Sequence, residues 1–221
     1  MRRAEPTERT RVRRLPERGV YDRAVIDAIL DEAFICHLAT LVGGSPRVIP
    51  TIHARVGDAL YVHGSPASGT LRALRESAEV CLAATLVDGL VLARSGFHSS
   101  INHRSVIVYG RAREVTDPEE KRRAQEALVD HVAPGRSAEV RPPTDRELRR
   151  TAIFATPLDE ASAKVRTGPP EDDEEDLGCP IWAGVLPLRT VVGPPQADPR
   201  LPPDIGPPES VLRYRRPGAP G

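Results

Sequence analysis

The chain has 221 residues, 39% of them hydrophobic, with 31 basic side chains balanced by 31 acidic ones. That is enough apolar material for one buried core, and the cancelled charge removes the basic footprint of a general nucleic-acid binder, so the expected partner is a small molecule and no nucleic acid. No run of about 18 apolar residues and no apolar stretch behind the arginine-rich N-terminus occurs, so the expectation is a soluble, cytoplasmic protein without a membrane partner.

Residues 1–18 are charged and prolyl and read as a flexible arm. In "DRAVIDAILDEA", Val25, Ile26, Ile29 and Leu30 recur at helical spacing behind Asp22, a natural N-cap. "FICHLATL" then reads as a strand, "VGGSP" breaks it, and "RVIPTIHARV" resumes the extended pattern. Gly57-Asp58 is a glycine-first pair suited to a type II′ hairpin, with "ALYVHG" as the returning strand. That turn sets His53 opposite Val62, so His53 and His63 point to opposite faces and cannot share a metal. "EVCLAATLVDGLVLA" and, after Arg104, "SVIVYGRAREV" extend an antiparallel meander of the kind found in sandwiches and barrels.

Asp117, Pro118 and Glu120 announce a helix over "PEEKRRAQEALVDHV", and Thr144 with Glu147 form a capping box before "DRELRR". "TAIFATPL" and "IWAGVLPLRT" read as late strands, and residues 193–221 as a Pro/Gly-rich tail. One domain over 19–192 is expected between the arm and the tail.

"VHGSPASGTLRAL" looks like a strand end, a tight turn and a helix start. Ser65, Ser68 and Thr70 offer hydroxyls where the free N–H groups of a helix beginning near Gly69 converge, which suits a phosphate and equally suits a serine-capped helix. Arg47 and Arg104, each placed at a strand opening, could add bidentate donors or simply lie in solvent. Cys36, Cys81 and Cys179 are odd in number and far apart, which leaves no disulfide framework or CxxC knuckle. No HxH, HExxH or calcium-loop pattern occurs, so no metal site is expected, and "EDDEEDLG" reads as a solvated loop. No GxSxG, Walker or GxGxxG sequence is present either. Trp182, the single tryptophan, is either a lid for a flat ligand or a core or interface residue.

Taken in order, "ERGVYDRAVIDAILDE", "RVIPTIHAR", "LYVHGSPASGTLRAL", "DGLVLARSGFHSSINHRSVIVYGRA", "ASAKVRTGPPEDDEED" and "IWAGVLPL" resemble the flavin-binding split-barrel proteins related to pyridoxamine 5′-phosphate oxidase. The nearest branch is the one that includes the nitroimidazole-resistance proteins. This resemblance implies a mainly β, α+β fold: an antiparallel Greek-key split β-barrel with a few peripheral helices, assembled as a homodimer with FMN between subunits. It places Arg47, Val48, Ile49, Pro50 and Thr51 along the flavin ring, and His63, Ser65, Ser68, Thr70 and Leu71 around its phosphate. Asn102, Arg104 and Ser105 fall at the ribityl chain or phosphate, and Trp182 against the ring.

Relatives in that branch commonly carry a cation where this chain has Gly69, and a histidine and a tyrosine where it has Ser99 and His103. The implied activity is that of an FMN-dependent oxidoreductase acting on a small molecule, with NADH or NADPH as reductant. His98 and His103 are the candidates for proton transfer or are structural histidines. The alternatives are a non-catalytic protein holding flavin, deazaflavin or haem, and a pathway enzyme that no longer uses flavin.

Overall fold

The structure is a computed structural model that describes residues 5–76 and 79–216; the outermost residues of the arm and tail lie outside the described residues. In chain order the elements are β1 (Gly19–Val20), α1 (Arg23–Glu32), β2 (Ile35–Val42), β3 (Ser45–Val56), β4 (Ala59–Gly64) and α2 (Gly69–Glu76). There follow β5 (Glu79–Leu92), β6 (Ser100–Arg111), β7 (Arg113–Glu114), α3 (Pro118–Val132) and α4 (Asp145–Arg149). The chain closes with β8 (Ala152–Pro157), β9 (Glu160–Arg166), β10 (Gly184–Pro187) and α5 (Glu209–Leu212).

The strands form one antiparallel sheet in the order β1-β9-β6-β5-β2-β3-β4-β8-β7, with β10 added to the far end of β5. This is the split barrel that the sequence implies. Its hairpins follow from local chemistry. Gly43 and Gly44 both take positive φ, +57° and +79°, which only glycine adopts freely, and so turn β2 into β3 in two residues. Gly57 at +58° with Asp58 makes the next turn, and His53 stands opposite Val62 as the turn residues require.

Alternating residues of β2, β5, β6 and β9 face inward, and α1 lays Ile26, Ile29 and Leu30 on that core. α1 is capped by Asp22, whose side chain accepts the Ala24 amide. Phe154 of β8 is wholly buried in the same cluster, and truncating such a side chain costs about 3–5 kcal/mol. The other face of β4 and β8 carries Tyr61, Ile153 and Ala155, which pack against Ala124 of α3. α3 is held there by the hydrogen bond from the Tyr61 hydroxyl to Glu120. Asp117 caps α3, and the Thr144–Glu147 capping box of α4 is complete.

Three details depart from the sequence reading. β6 begins at Ser100, so Arg104 sits inside the strand instead of opening it. β9 is an unanticipated strand between β6 and β1. In the acidic loop, the Asp172 side chain is covered rather than solvated and accepts from both the backbone amide and the guanidinium of Arg94. Residues near both ends of the described chain pack against the rest of the fold. Arg9 pairs with Glu79 and Glu160 beside the Tyr109 ring, while Ser210 bonds Glu139 and Arg216 stacks on Phe34. Among the described residues, no helix is long and apolar enough to cross a membrane.

Candidate functional site

The sheet opens at β3. Its first part, Ser45 to Ile52, pairs only with β2, while its last residues, His53 to Val56, pair with β4. One backbone edge of the "RVIPT" stretch is therefore free of strand partners among the described residues, and an unpaired edge offers a row of N–H and C=O groups to a ligand. The side chains there cannot all meet one ligand. Val48 and Pro50 stand opposite Ala39 and His37 on the outer face, whereas Arg47, Ile49 and Thr51 stand opposite Thr40, Leu38 and Cys36, whose side chains are buried.

β4 ends in Gly64, where a Cβ would meet Leu71 Cδ1 at 2.9 Å, so glycine lets α2 approach closely. In the turn that follows, Ser65 Oγ accepts the Ala67 amide and Ser68 Oγ accepts the Leu71 amide at 3.5 Å. Both hydroxyls keep a proton to donate. The amides of Gly69 and Thr70 open the helix in the first turn, where N–H groups lack intrahelical acceptors. A Cβ at Gly69 would meet nothing within 4 Å, so open space lies beside this cap. Thr70 and Leu71 are buried; Leu71 is a core side chain and has only backbone to offer a ligand.

On β6 the expected trio divides. Arg104 shares the side of the buried Val106 and Val108, and Ser105 the side of Ile107. Arg104 is not a free phosphate donor. Its guanidinium donates to Asp88 through Nε and Nη2 at 2.9 and 2.7 Å and to Glu32 of α1 through Nη1 and Nη2, and these carboxylates raise its pKa further. It lines a 430 Å³ cavity with Asp88, Glu32, Leu188 and Arg189 that contains none of the β3 or turn residues. Asn102 is buried, donating to the Gly168 carbonyl and accepting from Arg166, and Ser105 donates to the Lys164 carbonyl.

The histidines have distinct settings. His53 is fully buried, 2.9 Å from the Leu30 carbonyl, and burial pushes its pKa down to about 4. His63 faces α3 from the other side of β4; its Nδ1 is buried without a hydrogen-bond partner among the described residues, and burial lowers its pKa. His98 lies 3.1 Å from Asp173. His103 stays below its usual pKa through burial and then through Lys164, Arg18 and Arg166. Among the described residues no cluster of three metal-ligating side chains forms.

Trp182 is 64% exposed and folds its ring over Gly184, where an added Cβ would meet the indole at 2.9 Å. Sequence reasoning missed His37. It sits on the outer sheet face between Pro50 and Ala83, with Ile107 beyond, and Ile35, Ile52, Val48 and Leu41 are exposed around it. The predicted residues are thus strung along an open edge and an exposed apolar face, not gathered in one enclosed pocket of the single chain.

The profile of the pyridoxamine 5′-phosphate oxidase family matches residues 22–165. Among solved structures, the chain is similar to the flavocytochrome Anf3 from Azotobacter vinelandii, with 42% identity, a TM-score of 0.90, and coverage of 96% of this chain and 99% of that one. It is also similar to an FAD and haem binding protein from Mycobacterium smegmatis, with 37% identity, a TM-score of 0.85 and coverage of 89% and 96%. A candidate 5-nitroimidazole antibiotic resistance protein from Bacteroides thetaiotaomicron follows at 26% identity, a TM-score of 0.57 and coverage of 66% and 86%. No curated protein matches the chain.

Proposed function

Because the chain belongs to the pyridoxamine 5′-phosphate oxidase family, we propose that it is a flavin-binding oxidoreductase that works as a homodimer, with the flavin along the open edge of β3. The observation that carries this reading is the split itself: a strand edge without a strand partner among the described residues, followed after β4 by a turn that presents two serine hydroxyls and the first amides of α2. Those groups fit a phosphate, because hydrogen-bond donors and the positive end of a helix both favour an anion. Ser65, Ser68 and the Gly69 and Thr70 amides would hold it, and the backbone of residues 47–51 would border the ring. The FMN expectation shifts toward FAD, since the FAD and haem binding protein from Mycobacterium smegmatis is 37% identical.

Bound flavin supplies hydride and electron transfer, while the chain supplies binding, orientation and exclusion of water. A single copy leaves the edge open. The exposed apolar face around His37 supports a second copy as the cover, and Trp182 of one copy would then lie against the flavin held by the other. NADH or NADPH is the proposed reductant of a small-molecule reaction.

A second reading adds haem to the flavin, favoured by the two most similar of these relatives, a flavocytochrome and an FAD and haem binding protein, and by an apolar cavity at His63. The test is the absorption spectrum of the purified protein, with chromatography of the released cofactor and anaerobic titration with NADPH. Flavin bands that bleach on titration support the oxidoreductase. A colourless protein that takes up neither added FMN nor added FAD would sink it.

A further inference from the structure

We infer that the 430 Å³ cavity between β5 and the chain after β10 is a second small-molecule site, which takes its ligand by one oxyanion group, a carboxylate or a phosphate. Its volume falls within the roughly 300–1,000 Å³ typical of such sites. The cavity exists because the sheet opens a second time. β5 pairs with β2 over Cys81 to Ala83 and with β10 over Gly89 to Leu92, so residues 84–87 have no strand partner on that edge among the described residues. Thr85 in this gap forms one wall, Arg189 and Thr190 after β10 a second, and Arg216 of the tail a third. The second wall is fixed by the Leu188 amide, which donates to the Asp88 carbonyl.

Charge selects the ligand class. Glu32 and Asp88 also line the cavity, but all four of their carboxylate oxygens accept from Arg104, so the trio presents one net negative charge. Arg189 and Arg216 add two positive charges, and among the described residues neither is in an ion pair. The wall is left with one positive charge in excess, which a single oxyanion neutralises. Arg216 is also held in place: its Nε donates to the Glu32 carbonyl at 3.2 Å and its Cζ lies 4.6 Å from the Phe34 ring centroid, while its two Nη groups have no acceptor among the described residues. Guanidinium groups fork onto carboxylate and phosphate oxygens, and the Thr85 and Thr190 hydroxyls stand beside them as neutral donors. Neither the β3 edge nor the Ser65 turn contributes to this wall, so the site is separate from the proposed flavin edge.

The experiment follows the melting temperature of the full chain against sodium phosphate and sodium acetate, with sodium chloride at equal ionic strength as the reference. A ligand that binds only the folded state raises the melting temperature by an amount set by its concentration relative to its Kd. Exclusion of phosphate from protein surfaces raises every variant alike, so the difference between proteins is the reading. Wild type should gain more than Arg189→Ala or Arg216→Ala, whose apparent Kd should rise at least about tenfold because each loses a charge-assisted donor. Arg189→Lys should keep part of the response, since an ammonium keeps the charge without the fork. Arg111→Ala, at an exposed arginine outside the cavity, should respond like wild type. A larger effect of phosphate would make the ligand a phosphate ester, and a larger effect of acetate a carboxylate. A wild type that neither anion stabilises beyond chloride, or cavity variants that respond like wild type, would overturn the site. A response present in protein stripped of flavin and absent once flavin is loaded would place the flavin's own phosphate here, which overturns the separate site and leaves the flavin reading standing.

Discussion

The His53 and His131 rings touch at a 46° tilt with centroids 4.7 Å apart, and their Nε2 atoms donate to the Leu30 and Ala33 carbonyls at 2.9 and 2.8 Å. The pair therefore ties the C-terminal end of α1 to β3 and α3. It does so with neutral rings.

Protonating His53 would place a new N–H on Nδ1, which is buried and has no partner among the described residues. Its pKa is pushed from 6.5 to about 4, chiefly by burial, and that of His131 is lowered by the same cause. The unfolded chain binds more protons than the native one between those values, so stability is fully present above about pH 6.5 and is lost as pH falls toward 4. The loss from His53 alone is on the order of 3 kcal/mol at most. Urea unfolding at pH 7.5 and pH 5 should show it, and equal midpoints would refute it.

Arg104 joins α1 to the barrel through Glu32 and Asp88, all three side chains being less than a third exposed. Arg104→Ala should destabilise the fold by about 1–3 kcal/mol, because it strands two partly buried carboxylates. Arg104→Lys should recover only part of this, since an ammonium cannot fork to both partners. Denaturant midpoints decide the matter. A variant with unchanged stability and weakened flavin binding would return Arg104 to the ligand role that the family resemblance suggests.

What was legible in the sequence was local. The Gly57-Asp58 turn sets the β3–β4 register, and Asp117 and Thr144 mark helix starts, because each signal and its consequence lie within a few residues. β9 escaped because "EASAKVR" has small residues where a strand usually shows branched ones; Ala161 and Ala163 are buried only because neighbouring strands fill the space. The ion pairs of Arg104 bring together residues distant in the chain, which no spacing rule anticipates. The outer face of β2 was hidden by its composition: "ICHLATLV" is apolar on both sides, so alternation could not say which side meets solvent.

At the turn, Ser68→Ala should cost about 1 kcal/mol of stability through the lost cap and should also weaken flavin binding. Gly69→Arg has open space for its side chain and should tighten binding by about tenfold if a phosphate lies there, since it adds a charge-assisted donor at the helix start. Fluorescence titration of the protein stripped of its flavin measures both. Should Gly69→Arg leave the affinity unchanged, the turn is a helix cap and the phosphate lies elsewhere.

The outer face makes the last prediction. Val48 is 57% exposed and Leu41 53%, with Ile35 and Ile52 paired beside them, a patch that a lone soluble chain rarely leaves in water. If a second copy covers it, Val48→Glu places a carboxylate in an apolar contact on both copies, and the cost of burying it is met twice under two-fold symmetry. Sedimentation should then report a dimer for wild type and a monomer for the variant, while circular dichroism stays unchanged because the position is outside the core. Trp182 gives an independent signal as the single tryptophan. Its ring is exposed in the single chain, so its emission should move to longer wavelength when the dimer is broken by dilution or by Val48→Glu. A wild-type protein that sediments as a monomer at micromolar concentration and still holds flavin would show that one chain completes the site alone.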